Sequence, residues 1–333
     1  MEYSEGVWEA IDKAATYLFN KSHAAAYSIT GYLSQWLKVH YPLEYWSVAF
    51  SYAAEDDYPV YVSEINRGDT GVKIMEVDIN KSGINVVSDK ETGNMYWALT
   101  SIKQAGEKAC EQIFSEREQN GEYFSFEEFL DRHIFKGSKV NKSVIENLVV
   151  SGAFDNLEKI DNPCDRMRLI DLYRTKYRVK IDKDKDLFSS PKRSESWWWN
   201  ILQKQISGYG WFDYRSIVEK FTQYDKDFPY VDMDRILEPK FGKSGAATTA
   251  GYVYDIDIKN GKNGQFCKIF MEHNYQFLTV ICFPGEFPAY DDVILDSKGN
   301  ILILNGEVYN DEYSGDNVMH VGGRTMMTLL KKD

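Results

Sequence analysis

Leu18-Phe19-Asn20-Lys21-Ser22-His23-Ala24-Ala25-Ala26-Tyr27 decides how the first part of this chain is read. Four polar residues, Asn20 to His23, separate two apolar runs at helical spacing. Upstream, Trp8, Ile11, Ala15 and Leu18 recur every three or four residues; downstream, Tyr32, Trp36, Val39 and Leu43 do the same. The pattern predicts two helices meeting at a polar joint, with Trp36 and Trp46 in the core. Asn20 or Ser22 caps the second helix by accepting its free N–H groups. Lys21 and His23 then lie at a positive helix start, where phosphate binds well. An ordinary capped joint with a solvated Lys and a packed His is the plainer alternative.

The 333 residues predict two or three domains and ample core material. Cys110, Cys164, Cys267 and Cys282 are far apart, so neither a zinc site nor a disulfide frame is indicated and a reducing cytosol fits best. The start, Met1-Glu2-Tyr3-Ser4-Glu5, is acidic and has no signal-peptide character. No apolar run approaches the roughly 20 residues of a membrane span. The expectation is a cytoplasmic protein with no membrane partner. The net charge of −12 argues against a generic nucleic-acid binder. The charge is uneven, however. Residues 136–204 hold 15 Lys and Arg against 10 Asp and Glu, which permits local DNA contact, while a solvated basic helix face is the alternative.

The order of motifs resembles the bacterial replicative DNA polymerase III alpha subunit, the C-family polymerases. In that family F-N-K-S-H-[AS]-x-A-Y precedes a helix ending near H-Y-P-x-E-[FY]. Phe19, Asn20, Lys21, Ser22, His23, Ala24, Ala26 and Tyr27 match the first motif; His40, Tyr41, Pro42, Glu44 and Tyr45 match the second. Val7 to Ala15 is similar to the family helix leading in. Gly71, Val72, Ile74, Asp78, Ile79, Asn80 and Ser82 are similar to G-I-x-V-x-x-x-D-[IV]-N-x-S. Val140-Asn141-Lys142 through Gly152-Ala153-Phe154-Asp155 resembles V-N-K-x-x-[IL]-E-x-L-x-x-[AS]-G-A-F-D. Ala250, Gly251, Asp255, Gly264, Glu272, Phe283, Pro284, Gly306 and Val308 continue the likeness, which runs from about Val7 to Val308.

The resemblance implies a multidomain α+β chain. Its first two thirds are mainly helical with helix-hairpin-helix units, and a C-terminal OB-fold β-barrel follows. The expected divisions are 1–70, the C-terminal part of a fingers domain; 71–180, a helix-hairpin-helix and clamp-binding domain; 181–244, a linker with a clamp-like motif and a helix; and 245–333, the OB domain. In the fingers, Asn20, Lys21, Ser22 and His23 face nucleotide or DNA phosphate. Helix-hairpin-helix turns use Gly-x-Gly, because a glycine backbone approaches phosphate closely. Here Gln104 stands at the first glycine position and Gly106 at the second. Lys103, Gly106 and Lys108, then Asn141, Lys142 and Gly152, are the DNA-binding candidates, with Gly152 also a left-handed helix cap.

Between the hairpins and the last domain, Asp184, Asp186, Leu187 and Phe188 are similar to the Q-x-[DS]-L-F peptide that binds a sliding clamp, with Asp184 in the Gln position. An exposed Leu-Phe in a charged linker favours a partner. Trp197-Trp198-Trp199 is read as a packed helix joint rather than a base-stacking platform. Five strand-like runs follow: Thr248–Ile258, Phe266–Glu272, Phe277–Phe283, Asn300–Val308 and Asn317–Val321. A turn at Asn260-Gly261-Lys262-Asn263-Gly264 joins the first two, and the spacing fits an OB barrel. Tyr252, Lys259, Lys262, Phe266 and Lys268 are its single-strand candidates.

Polymerisation needs carboxylates holding two Mg²⁺ ions. The family draws these from a palm domain preceding the matched region, so no catalytic residue, metal ligand or cofactor is expected on this chain. Mg²⁺ is expected only in the palm of the completed polymerase. Asp232-Met233-Asp234 and Asp255-Ile256-Asp257 place paired carboxylates on one strand face, but neither lies where the family holds its metals. Two functions follow. The chain is the C-terminal part of a polymerase III alpha subunit, contributing DNA, nucleotide and sliding-clamp contacts beside a palm-bearing chain on primer-template and single-stranded template. Alternatively it is a stand-alone DNA- or clamp-binding accessory module without catalysis.

Overall fold

The computed structural model describes Trp8 and residues 21–53, 57–68, 70–182, 185–223, 225–243, 245–311 and 315–332. Asn20, Asp184 and most of the helix expected over Val7 to Ala15 lie outside the described residues. The described chain opens with α1, Lys21–His40, and α2, Pro42–Tyr52, with Pro42 in the first turn where its missing N–H costs nothing. Trp46 and Phe50 of α2 are buried. They join Tyr58 and Tyr61 of α3, Tyr58–Arg67, and Trp97 in a knot of tilted and edge-on rings 5.2–5.8 Å apart. Trp36 corrects the sequence reading: it is 40% exposed, because no described element covers its side of α1.

A small sheet follows, with β3 (Asn94–Tyr96) between β1 (Lys73–Met75) and β2 (Val87–Asp89). Next come α4, Glu107–Asn120, α5, Phe126–His133, α6, Lys142–Val150, and α7, Met167–Lys176. Local signals set their ends. Ser125 accepts from the Glu128 N–H, capping α5. Gly121 closes α4 at φ +85, and Gly152 follows α6 at φ +84. There the Gly152 N–H donates to Val149 O and the Ala153 N–H to Leu148 O, the two bonds of a Schellman ending.

The segment 181–244, expected as a linker with a clamp-like motif and a helix, carries a deeply buried helix. In α8, Ser196–Ser207, nine of twelve residues are buried. Trp197, Trp198 and Trp199 are among them, and each indole N–H is satisfied: by Glu195 Oε2, Lys332 O and Arg193 O. After α9, Tyr214–Phe221, the chain enters the sheet-rich region.

Its strands are β4 (Gly245–Gly261), β5 (Gly264–His273), β6 (Gln276–Cys282), β7 (Ile301–Asn310), β8 (Asn317–Val321) and β9 (Met327–Leu330). The long β4 pairs with β7 through its first half and with β5 through its second, with a bulge between Val253 and Asp255. The circuit β4–β5–β6–β8–β7–β4 therefore closes into a barrel, with β6 parallel to β8. Gly251 sits where β4 passes from one partner to the other, and a Cβ there would lie 2.9 Å from Glu272 O. Cys267, Ile269 and Met271 alternate into the barrel with Leu278, Val280, Leu302, Leu304 and Met319. The strand β9 on β7 and the helix α10, Phe287–Leu295, are additions to the five expected strands. A second core runs without a break from Trp46 through α8 to Ala250, Ile301, Ile303 and Leu330, so the barrel's flank is buried on the helical part.

Candidate nucleic-acid interface

The first hairpin turn, Lys103 to Gly106, keeps its bend without its first glycine. Gln104 adopts φ +67, a conformation that costs a non-glycine residue roughly 1–2 kcal/mol. The turn is held from three sides. The Lys103 N–H donates to Ile206 O of α8 at 2.8 Å, the Ala105 N–H to Ile102 O at 3.0 Å, and Asn147 Nδ2 of α6 to Lys103 O at 2.6 Å. Gly106 caps α4 at an ordinary φ of −63, so glycine is not needed for conformation. It leaves space: no described atom lies within 4 Å of where a Cβ would stand. The first N–H groups of α4, which have no acceptor within the helix, start at this open corner. Lys103, Gly106 and Lys108 are all exposed, and so is Glu107.

A second loop, Ile134 to Asn141, stands beside it. Gln112 of α4 grips it twice, donating from Nε2 to Ser138 Oγ at 3.1 Å and accepting the Lys139 N–H at 2.8 Å. Gln112 follows Lys108 by one helical turn, so the loop and Lys108 share a face of α4. Lys136 and Lys139 are exposed on this loop and Gly137 takes φ +96. Sequence reasoning passed over both lysines; Lys136-Gly137-Ser138-Lys139, a basic glycine turn before a capped helix, was the available signal. Asn141 accepts the Val144 N–H at 3.1 Å and so starts α6, while Lys142 lies 4.0 Å from Glu146.

Gly152 requires a correction. It is buried, its N–H is spent on Val149 O, and a Cβ there would lie 2.7 Å from Arg166 Nη2. Its role is to let Arg166 pass, not to meet a phosphate. Part of the basic count of residues 136–204 is likewise engaged in ion pairs within the chain. Arg166 pairs with Asp155 at 2.6 Å, Arg168 with Glu158 at 3.3 Å, Arg174 with Glu146 at 2.8 Å and Asp186 at 2.7 Å, and Lys176 with Glu127 and Asp131. The exposed lysines of the two loops are a smaller and better-defined cationic surface than the count implied.

The clamp-like motif is also corrected. Leu187 and Phe188 lie in a single 3-10 turn, and Phe188 is 3% exposed. Its ring stands 5.8 Å from that of Trp199, with the Arg174 guanidinium 4.9 Å above it. Asp186 is tied to the same guanidinium, which holds its carboxyl below the usual range against the opposing effect of burial. An extended peptide that drops Phe188 into a partner's pocket would first have to pull it from this core. Of the fingers candidates, Lys21 and Ser22 are exposed in the first turn of α1. His23 is partly covered, its ring 4.5 Å from that of Tyr27.

On the barrel, the outward ladder runs from Lys268 to Ile281 of β6, His320 of β8 and Glu307 of β7. Aromatic groups stand at both ends of this face. Phe270, Phe277 and Tyr254 make one, with centroids 5.7–6.1 Å apart; Phe283, His320 and Tyr309 make the other at 4.6–5.0 Å. These six were missed because the sequence does not show which parity of each strand faces out. A cleft of about 1160 Å³ runs over Lys268, Phe270 and Phe277 towards α3, with Glu64, Asp234, Glu238, Asp311 and Asp316 along its walls. Lys262 is exposed at the β4–β5 turn, Phe266 and Lys268 are half-buried, and Lys259 pairs with Asp257 at 3.0 Å. Tyr252 is corrected: it packs on the helical core, where burial pushes its hydroxyl pKa up, and is not part of the open face.

The two D-x-D runs are engaged elsewhere. Asp255 pairs with Lys298 at 2.6 Å and Asp257 with Lys259; Asp232 accepts from Tyr230 at 2.6 Å. Among the described residues no group of three or more His, Cys, Asp or Glu is placed to hold a metal ion. No described helix is long and apolar enough to cross a membrane.

Residues 71–162 match a family model described as a helix-hairpin-helix motif. The chain is similar to the DNA polymerase III subunit alpha of Aquifex aeolicus, 25% identical over 317 residues covering 92% of this chain and 25% of that protein. It is similar to the Escherichia coli subunit at 27% identity, covering 94% of this chain and 28% of the relative. Over 47% of its length it is 32% identical to the Caulobacter vibrioides subunit. Among solved structures, RecG bound to a three-way DNA junction matches 62% of this chain at 13% identity and a TM-score of 0.23, too low to support an argument. The chain thus spans between a quarter and 29% of the length of the full-coverage relatives. These matches, over 92–98% of its length, make the chain similar to the C-terminal portion of DNA polymerase III alpha subunits.

Proposed function

We propose that this chain supplies DNA contacts to template-directed DNA synthesis by a polymerase III alpha assembly whose palm is carried by another polypeptide. The observation that carries this reading is the pair of anchored loops in the helix-hairpin-helix region. The Lys103–Gly106 turn and the Lys136–Lys139 loop present exposed lysines beside an open helix start. Duplex DNA is negatively charged along both strands, and such groups take its phosphates without reading sequence. We read the closed circuit of β4 to β8 as an OB-fold, whose outer face binds single strands by stacking bases on aromatic rings. The Phe283–His320–Tyr309 end suits that role better than the cleft over Phe270, whose acidic walls repel phosphate. The Asp186–Phe188 segment has no part in this reading.

The test is the salt dependence of binding to a fluorescent primer-template duplex. Each phosphate contact contributes about 0.9 to the slope of log K against log salt. Lys103→Ala with Lys108→Ala, and Lys136→Ala with Lys139→Ala, should each lower the slope by about 1 to 2. Unchanged slopes in both would refute the assignment. Mixing the wild-type chain with a palm-bearing polypeptide of the same assembly should restore primer extension. Binding without extension would favour a stand-alone accessory module.

A further inference from the structure

Against the described residues, the helix α1 is inside out. Ile29, Tyr32, Leu33, Trp36 and Leu37 recur at i, i+3, i+4, i+7 and i+8, the stripe by which a surface helix packs on a core. Yet they are 61, 67, 52, 40 and 46% exposed. The side turned to the body is polar. Lys38, with its side chain 16% exposed, lies 4.9 Å over the Trp46 ring and pairs with Glu64. No described side chain of α1 is buried. A fully exposed large side chain offers roughly 150–250 Å², so the stripe leaves on the order of 500 Å² of apolar surface. That is more than half of what each partner contributes to a standard interface, about 800 Å², and such patches mark interaction sites.

We propose that this stripe is the docking surface for the palm-bearing polypeptide, an inference that rests on the function proposed above. Position selects the occupant. The relatives align with 92–98% of this chain but are three to four times longer, and the match is to their C-terminal portion. Their remaining length therefore joins ahead of the region that includes α1, the first fully described helix. The occupant presents an apolar groove that accepts Trp36 and Leu33 and buries the stripe that α1 turns away from the described residues of its own chain.

The experiment places the photo-reactive residue p-benzoylphenylalanine in the full chain at Tyr32, at Trp36, or at Gln35 as a control off the stripe. The chain is irradiated with the palm-bearing polypeptide present, and adducts are located by mass spectrometry. Adducts to that polypeptide from positions 32 and 36, absent from 35, are expected. Adducts to residues 1–20 of the same chain, to a second copy, or none, overturn the proposal. A second variant, Leu33→Asp with Leu37→Asp, should lower extension by the mixed chains at least tenfold while leaving the salt slope of DNA binding unchanged. Full extension by this variant overturns the docking surface alone. Adducts without extension by the wild-type mixture would instead refute the functional reading.

Discussion

Lys204 and Glu272 join α8 to the barrel, and removing them singly or together should give opposite results. Lys204 Nζ stands 2.8 Å from Glu272 Oε1, with side chains 7 and 6% exposed. At an effective dielectric constant near 20 the attraction is about 6 kcal/mol, while withdrawing each ion from water costs several kcal/mol. The balance shows in Lys204: burial outweighs Glu272 and holds the ammonium below the usual lysine range. The pair therefore adds little net stability, but each member is needed once the other is buried. Glu272 also accepts the Tyr275 N–H at 3.1 Å, and Lys204 Nζ lies 4.1 Å over the Tyr275 ring. Lys204→Met and Glu272→Gln should each cost about 3–5 kcal/mol, and the double variant should lie within about 1.5 kcal/mol of the parent. Urea unfolding followed by tryptophan fluorescence reads this directly, since Trp198 and Trp199 are on the same helix. A double variant that loses the sum of the two singles would refute the reasoning.

Two further outcomes follow from the same packing. Phe188→Ala should cost about 3–5 kcal/mol, because it opens a cavity between Trp199 and Arg174; a loss under about 1 kcal/mol would mean the ring is free for a partner after all. His133 is fully buried, with Nε2 2.7 Å from the Tyr123 hydroxyl, and burial pushes its pKa down to about 4. The unfolded chain takes up that proton first, near pH 6.5, so stability should fall by up to about 3 kcal/mol as pH drops from about 6.5 to 4. His133→Phe should remove that one-proton slope from the unfolding free energy.

The barrel was legible because alternation is local. Cys267, Ile269 and Met271 already point one way along β5, and Gly261 and Gly264 mark the turn. The additions, Phe287–Leu295 and Met327–Leu330, were missed because short apolar runs carry no period that separates helix from strand. Phe188 was misread for a different reason. Its charged neighbours look solvated, but Asp186 answers Arg174, 12 residues away, and the ring answers Trp199. Pairing of the same kind engaged part of the basic count: Arg166 with Asp155, and Lys176 with Glu127 at a separation of 49 residues. Trp36 was read correctly as part of a helical pattern and wrongly as core, since periodicity says which side wants cover but not who provides it. Among the site residues, Lys103 and Lys108 were found through the hairpin motif. Lys136 and Lys139 needed the fold to bring their loop beside α4.

The helix α8 holds two things within one turn. Ile206 O anchors the Lys103 turn, and Lys204 anchors β5 of the barrel. A rod gripped at adjacent points lets neither attachment travel alone. The spacing between the hairpin corner and the barrel is thereby fixed like two marks on a ruler. A nucleic acid that touched both would have its double-stranded and single-stranded portions kept in constant register as it advanced.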